Sequence, residues 1–72
     1  MDVTNAVWQR DLSASLYRLA QTYDQQGDRV AAILYAEESL AISERMSALD
    51  RANVGWQNDV AASRALVARL RG

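Results

Sequence analysis

The side chains of this chain that could take part in catalysis or metal binding are carboxylates and serine hydroxyls. Glu37, Glu38 and Glu44 fall within one predicted helix. At about 100° per residue, Glu37 and Glu44 share one side of that helix, whereas Glu38 points elsewhere. No histidine accompanies them, and no Asp-rich calcium loop is present. A solvated helix face is therefore the favoured interpretation over a catalytic or metal-binding set.

The serines cannot form a nucleophilic triad, because the chain contains no histidine to act as the general base. Cysteine is also absent, which removes thiol catalysis, thiolate metal sites and disulfides together. Gly27 stands alone and does not form a phosphate-binding loop. We therefore predict that the protein is not an enzyme and that it uses neither a cofactor nor a metal.

The charge pattern narrows the possible partners. Eight basic and nine acidic residues are spread along the chain and give a formal net charge of −1. No basic block suits a nucleic acid or an anionic membrane surface. No apolar run approaches the roughly 18 residues of a membrane span, and residues 1–4 do not resemble a signal peptide. We expect a cytoplasmic protein whose partner is a protein or peptide, with no nucleic acid and no membrane involved.

Apolar periodicity predicts three helices, at about residues 5–26, 29–49 and 54–71, in a single domain covering residues 1–72. The first helix is expected to be capped by Thr4 or Asn5, and it repeats apolar residues at spacings of three and four. Gly27 and Asp28 form a tight turn, since glycine closes a helix and aspartate caps the next. Asn53 is the expected cap of the third helix. The apolar positions of the first helix are Trp8, Leu12, Leu16, Leu19 and Tyr23.

The second helix carries apolar and small residues over more than half of its circumference. Such a wide arc predicts contact with two neighbours, as a middle helix requires. Leu34 and Ala41 fall on the polar side and are expected to be exposed. The arc comprises Ala32, Ile33, Tyr35, Ala36, Ser39, Leu40, Ile42, Ser43, Met46 and Leu49.

An internal repeat relates the first and third helices. The segment from Asn5 to Ser15 aligns with the segment from Asn53 to Ser63, so that Trp8 matches Trp56. Six of these eleven places are identical, in the register Asn-x-x-Trp-Gln-x-Asp-x-x-Ala-Ser. A repeat of 20–50 residues is typical of stacked helical units. The chain therefore contains one helical hairpin followed by the first helix of another.

The hairpin resembles a tetratricopeptide repeat, because its residues follow the order of that motif. Leu19, Tyr23, the turn Gly27-Asp28 and Ala32 match the motif. At four other places of the motif the chain departs from the usual residue: Leu16 and Ala36 stand in place of an aromatic residue, Ala20 in place of Gly, and Ser39 in place of Ala. The two Trp-Gln-x-Asp segments are similar to a longer-period bacterial variety of the family. The resemblance implies an all-α fold of one and a half repeats, namely an antiparallel helical hairpin plus a third helix.

The resemblance also implies a protein-interaction function. In this family the inner face of each first helix lines a groove that binds peptides. Carried over to this chain, the partner-binding residues are Tyr17, Arg18, Gln21, Asp24 and Arg69. Trp8 and Trp56 are expected to be core anchors at the start of each hairpin, since large aromatic residues dominate small cores.

A third helix without its hairpin partner is expected to leave an apolar edge open. Leu34, Ala62, Leu66 and Leu70 are the predicted residues of this edge, and they would support self-association into a homo-oligomer. Two possibilities remain open at this point. The chain is either an interaction module from a longer array or a self-contained three-helix module with a structural or dimerisation role.

Overall fold

The computed structural model describes residues 3–72, and side chains from residue 5 onward. Three α-helices follow one another: α1 spans Val3–Gln25, α2 spans Arg29–Leu49 and α3 spans Val54–Arg71. No strand occurs within this range. Helix α2 packs against both α1 and α3. The predicted fold class, an antiparallel hairpin plus a third helix, is confirmed, and so is the middle position of α2.

The ends of the helices agree closely with the predicted bounds, apart from the start of α1. This helix begins at Val3, so Asn5 lies inside it and does not cap it. The side chain of Thr4, the other predicted cap, lies outside the described residues. Helices α2 and α3 have the predicted bounds. No helix within residues 3–72 is both long and apolar enough to cross a membrane.

The turn between α1 and α2 is built by Gly27 and Asp28, as predicted. Gly27 has a φ of +83°, in the left-handed region that favours glycine. The backbone N–H of Asp28 donates to the carbonyl of Tyr23 at 2.9 Å, and that of Gly27 donates to Asp24 at 3.1 Å. This pair of bonds is a Schellman motif, which satisfies the last carbonyls of α1. The Asp28 carboxylate then accepts from the backbone N–H of Ala31 at 3.1 Å and caps α2.

Two glycines allow a paired test of this turn. Gly27→Ala is expected to lower the free energy of unfolding by roughly 1–2 kcal/mol, because an L-residue is strained at positive φ. An added Cβ at Gly27 would meet nothing within 4 Å, so the cost is conformational alone. Gly55→Ala is the control, since Gly55 is helical and its Cβ would lie 3.4 Å from the nearest atom. It should leave stability unchanged or raise it by about 0.5 kcal/mol. Urea denaturation measures both, and equal effects at the two positions would contradict the assignment.

The core between the helices is made largely of small side chains. Ala20, Ala32 and Ala36 are 0% exposed, and they cluster with Leu66 and Leu70 of α3. Alanine at these places lets the helix backbones approach closely, because no long side chain separates them. The rings of Tyr23 and Tyr35 stack beside the cluster, with centroids 5.4 Å apart. Small residues therefore set the spacing of the helices, and aromatic rings fill the flank.

The predicted apolar stripe of α1 does not form the centre of the core. Trp8 is 62% exposed, so its assignment as a core anchor is wrong, whereas Trp56 is half-buried. Leu12 and Leu19 are also exposed. Helix α1 turns Ser13 and Ala20, both buried, toward α2 instead. The reason is that small residues permit a closer helix contact than the large stripe beside them, which is left at the surface.

Candidate functional site

A groove of about 490 Å³ lies between α1 and α3, above the middle of α2. We call it the central groove. Its walls come from α1 and α3, and its floor comes from buried serines of all three helices. It is lined by Arg10, Ser13, Ala14, Tyr17, Arg18, Gln21, Ser39, Ser43, Asp59, Ala62 and Ser63.

The floor of the central groove is a network of four buried serines. Ser13, Ser39, Ser43 and Ser63 are each less than 7% exposed. The Ser13 hydroxyl donates to the carbonyl of Ser39 at 3.0 Å, and the Ser39 hydroxyl donates to the carbonyl of Ser13 at 2.9 Å. This reciprocal pair of bonds joins α1 directly to α2.

Hydroxyl–hydroxyl contacts complete the network. The Oγ atoms of Ser13 and Ser39 lie 3.0 Å apart, and Ser43 Oγ lies 3.0 Å from Ser13 Oγ. Ser63 Oγ lies 3.3 Å from Ser39 Oγ and brings α3 into the network. No buried side-chain N or O atom among the described residues lacks a hydrogen-bond partner.

Ion pairs join α1 and α3 at both ends of the central groove. Arg10 Nε donates to Asp59 Oδ2 at 2.9 Å, and Arg10 Nη2 lies 3.4 Å from Oδ1 of the same carboxylate. At the other end, Arg69 Nη2 lies 3.5 Å from Asp24 Oδ2. These side chains are largely exposed, so each pair contributes at most about 1 kcal/mol. Their effect is positional, because they fix the distance between the walls.

The structure brings together three of the predicted partner-binding residues. Tyr17, Arg18 and Gln21 all line the central groove. Asp24 and Arg69 lie at its end, where they pair with each other. Arg18 makes no ion pair with any described residue, and it is exposed, whereas Tyr17 is half-buried. The groove therefore offers one aromatic ring, one amide and one guanidinium to a ligand.

The three glutamates of α2 do not form a catalytic or metal-binding cluster. Glu37 pairs with Arg71 of α3, and both Glu38 and Glu44 are exposed. Among residues 3–72, no group of three or more acidic side chains is arranged to hold a metal ion. Each carboxylate has a structural or solvated environment.

The predicted self-association edge is not where the sequence placed it. Leu66 and Leu70 are each 3% exposed, so the prediction that they form an open edge is wrong. They are buried because α2 covers this side of α3 with Ala32 and Ala36. Leu34 is exposed as predicted, and Ala62 forms part of a groove wall.

The exposed apolar edge lies instead on the outer side of the hairpin. We call it the α1 edge, a shallow depression between α1 and the second half of α2. Trp8 and Leu49 are both more than half exposed there. The depression is lined by Trp8, Gln9, Leu12, Ile42, Arg45, Ala48 and Leu49.

Comparison with known proteins gives no relative from which this geometry can be interpreted. No family model, no curated protein and no solved structure matches the chain. The groove and the α1 edge are therefore interpreted from their own residues.

Sequence reasoning missed the serine network, although a signal was present. Ser39 and Ser43 fall within the wide arc of α2, and Ser63 falls within the apolar stripe of α3. Serine at core-facing positions of a helix needs a hydrogen-bond partner. Several such serines on three helices indicate that the partners are the serines themselves.

Proposed function

We propose that the chain is a non-catalytic protein-interaction module of the tetratricopeptide type, which binds an extended protein segment in the central groove. The observation that supports this most is the position of Tyr17, Arg18 and Gln21 on one open wall. Aromatic and arginine side chains are the residues that most often dominate interface energies. The absence of histidine and cysteine supports a binding role over a catalytic one.

The dimensions of the groove favour a short extended peptide. The end pairs begin at Arg10 and Asp24, which are about 21 Å apart along α1 at about 1.5 Å per residue. An extended chain rises about 3.3 Å per residue, so roughly six residues span this distance. Ala14 and Ala62 leave space between the walls for a backbone.

The charge of the groove favours an acidic residue in that peptide. Arg10 is neutralised by Asp59, whereas Arg18 has no ionic partner among the described residues. A carboxylate of the ligand would neutralise Arg18 and accept charge-assisted hydrogen bonds from its guanidinium. The cysteine-free composition supports a cytoplasmic setting for this binding.

Peptides selected from a displayed random library against the chain should test this proposal. We expect selected peptides to contain Asp or Glu, and to bind Tyr17→Ala roughly tenfold more weakly than the wild type, because a half-buried aromatic anchor is lost. Arg18→Gln should weaken acidic peptides specifically. Fluorescence anisotropy of a labelled peptide measures both effects.

The control variant is Arg29→Ala, which removes another exposed arginine, outside the groove. It should leave the dissociation constant unchanged. Selected peptides that bind both groove variants as tightly as the wild type would remove the central groove from the proposed function.

A further inference from the structure

The internal repeat allows the surroundings of α1 and α3 to be compared position by position. Trp8, Leu12, Ser15 and Leu19 of α1 correspond to Trp56, Val60, Ser63 and Val67 of α3. In α3 this stripe faces α2: Val60 and Ser63 are buried, and Trp56 and Val67 are half-buried. In α1 the same stripe is exposed. Within the described residues, the stripe of α3 is therefore covered by a helix, and the matching stripe of α1 is not.

The way α2 covers the stripe of α3 is known from its contacts. Ser39 meets Ser63, with their Oγ atoms 3.3 Å apart, and Ala32 and Ala36 cluster with Leu66 and Leu70. The two helices run antiparallel, so Ala36 lies near Leu66 when Ser39 lies near Ser63. Consider a helix that packs on α1 as α2 packs on α3. Its residue at the position of Ser39 would contact Ser15, because Ser15 of α1 corresponds to Ser63 of α3.

The side of α3 that carries Arg64 and Arg71 is not equivalent to the α1 edge. Leu16 and Tyr23 of α1 are half-buried, with Tyr23 stacked on Tyr35 of α2. Their counterparts in α3 are Arg64 and Arg71, which are exposed. Charged residues at these places do not favour a further apolar helix on α3, because burying them would require partners. The α1 edge therefore has Trp8 and Leu49 at the surface, whereas this side of α3 carries two exposed arginines.

We infer that the α1 edge is a docking site for one amphipathic helix of a partner protein, held as α2 is held on α3. Trp8 and Leu12, with Ile42 and Leu49 of α2, supply the apolar contact. The matching interface within the chain, between α2 and α3, supplies the geometry. Trp8, Leu12 and Leu49 lie outside the central groove, and Arg18 is the one residue that this inference shares with it.

The charge of Arg18, a residue that also lines the central groove, distinguishes the partner helix from a second copy of α2. Arg18 stands at the position that matches the buried Leu66, and Thr22 stands at the position that matches Leu70. A helix docked here would place its Ala36-like residue near Arg18. An acidic residue fits that position, whereas the Ala36 of a second copy would not neutralise the guanidinium. In addition, the matching face of α2 in any copy is already covered by α3.

A stapled peptide can test the inference directly. The probe has the sequence Arg29–Leu49 with Ala36→Glu, and a covalent staple between positions 34 and 41, which are exposed in α2. We expect it to bind the wild-type chain, and Trp8→Ser to weaken binding by at least roughly tenfold, as for other buried tryptophan anchors. Val54→Ser removes an exposed apolar side chain outside the edge and should change nothing. Isothermal titration calorimetry measures the affinities.

A charge exchange tests the orientation of the docked helix. Arg18→Glu should weaken the Ala36→Glu peptide, and a peptide with Ala36→Arg should restore binding to that variant. Equal affinity of the probe for the wild type and Trp8→Ser would overturn the inference, since the peptide would then be displacing α2 within the chain. Sedimentation that shows a dimer abolished by Trp8→Ser would also overturn it, because the occupant would be a second copy. Binding of library peptides to Tyr17→Ala separates a failure of the groove from a failure of the edge.

Discussion

Replacing Leu66 with alanine is expected to lower the free energy of unfolding by about 3 kcal/mol. Leu66 is 3% exposed and packs in the cluster that joins α2 to α3. Truncating such a side chain loses its burial and leaves a cavity, at a cost of about 2–5 kcal/mol. A domain of this size has a small core, so the loss is a large fraction of its stability. Urea denaturation followed by circular dichroism measures the change.

Leu34→Ala is the matched control for Leu66→Ala. Both substitutions remove the same atoms from a helix, but Leu34 is 54% exposed. We expect a change within about 0.5 kcal/mol, as for most surface substitutions. The two variants together also show whether the exposed apolar edge lies at Leu34 or at Leu66. A small effect of Leu66→Ala with a large effect of Leu34→Ala would mean that α3 does expose this stripe in solution.

The second large effect is expected from Ser39, at the centre of the serine network. Ser39→Val should lower the free energy of unfolding by about 2–4 kcal/mol. The substitution removes the bond to the Ser13 carbonyl and leaves the Ser63 hydroxyl without its partner. It also adds a methyl group at a position that is 1% exposed, where the helices leave no space for it.

Three further variants separate the causes at Ser39. Ser39→Ala removes the hydrogen bonds without adding volume, and it should cost about 1–2 kcal/mol. Ser15→Val and Ser15→Ala make the same substitutions at an exposed helical serine. Subtracting their effects on stability from those at Ser39 removes the difference in helix propensity between the residue types. Thermal and urea denaturation of all four variants give the comparison. Equal effects at Ser39 and Ser15 would show that the network does not contribute to stability.

The serine network connects stability with the proposed binding function. Ser13, Ser39 and Ser63 join three helices beneath the central groove, so they hold its floor in one arrangement. These serine side chains are hydrogen-bonded among themselves. The groups that can bind a ligand are therefore those of Tyr17, Arg18 and Gln21 on the wall. Changes in the floor should therefore alter stability more than ligand choice.

The sequence by itself determined the helices and their order. Glycine at a left-handed turn position, aspartate and asparagine caps and three- and four-residue spacings are local features, and local features fix where a helix begins and ends. The wide arc of α2 likewise identified the middle helix, since only a helix with two neighbours needs so much buried surface. The same periodicity placed Tyr17, Arg18 and Gln21 on one face.

Only the tertiary structure decided which face of each helix is covered. The stripe that includes Trp8 and Leu12 is as apolar as its copy in α3, yet it is exposed, because the rotation of α1 follows the close contact made by Ser13 and Ala20. Leu66 and Leu70 were predicted to be open and are buried for the same reason, since α2 approaches α3 through small residues. Burial depends on which neighbour is present and how closely it packs. Periodicity identifies the faces of a helix, and the size of the side chains at each contact then selects the face that is buried.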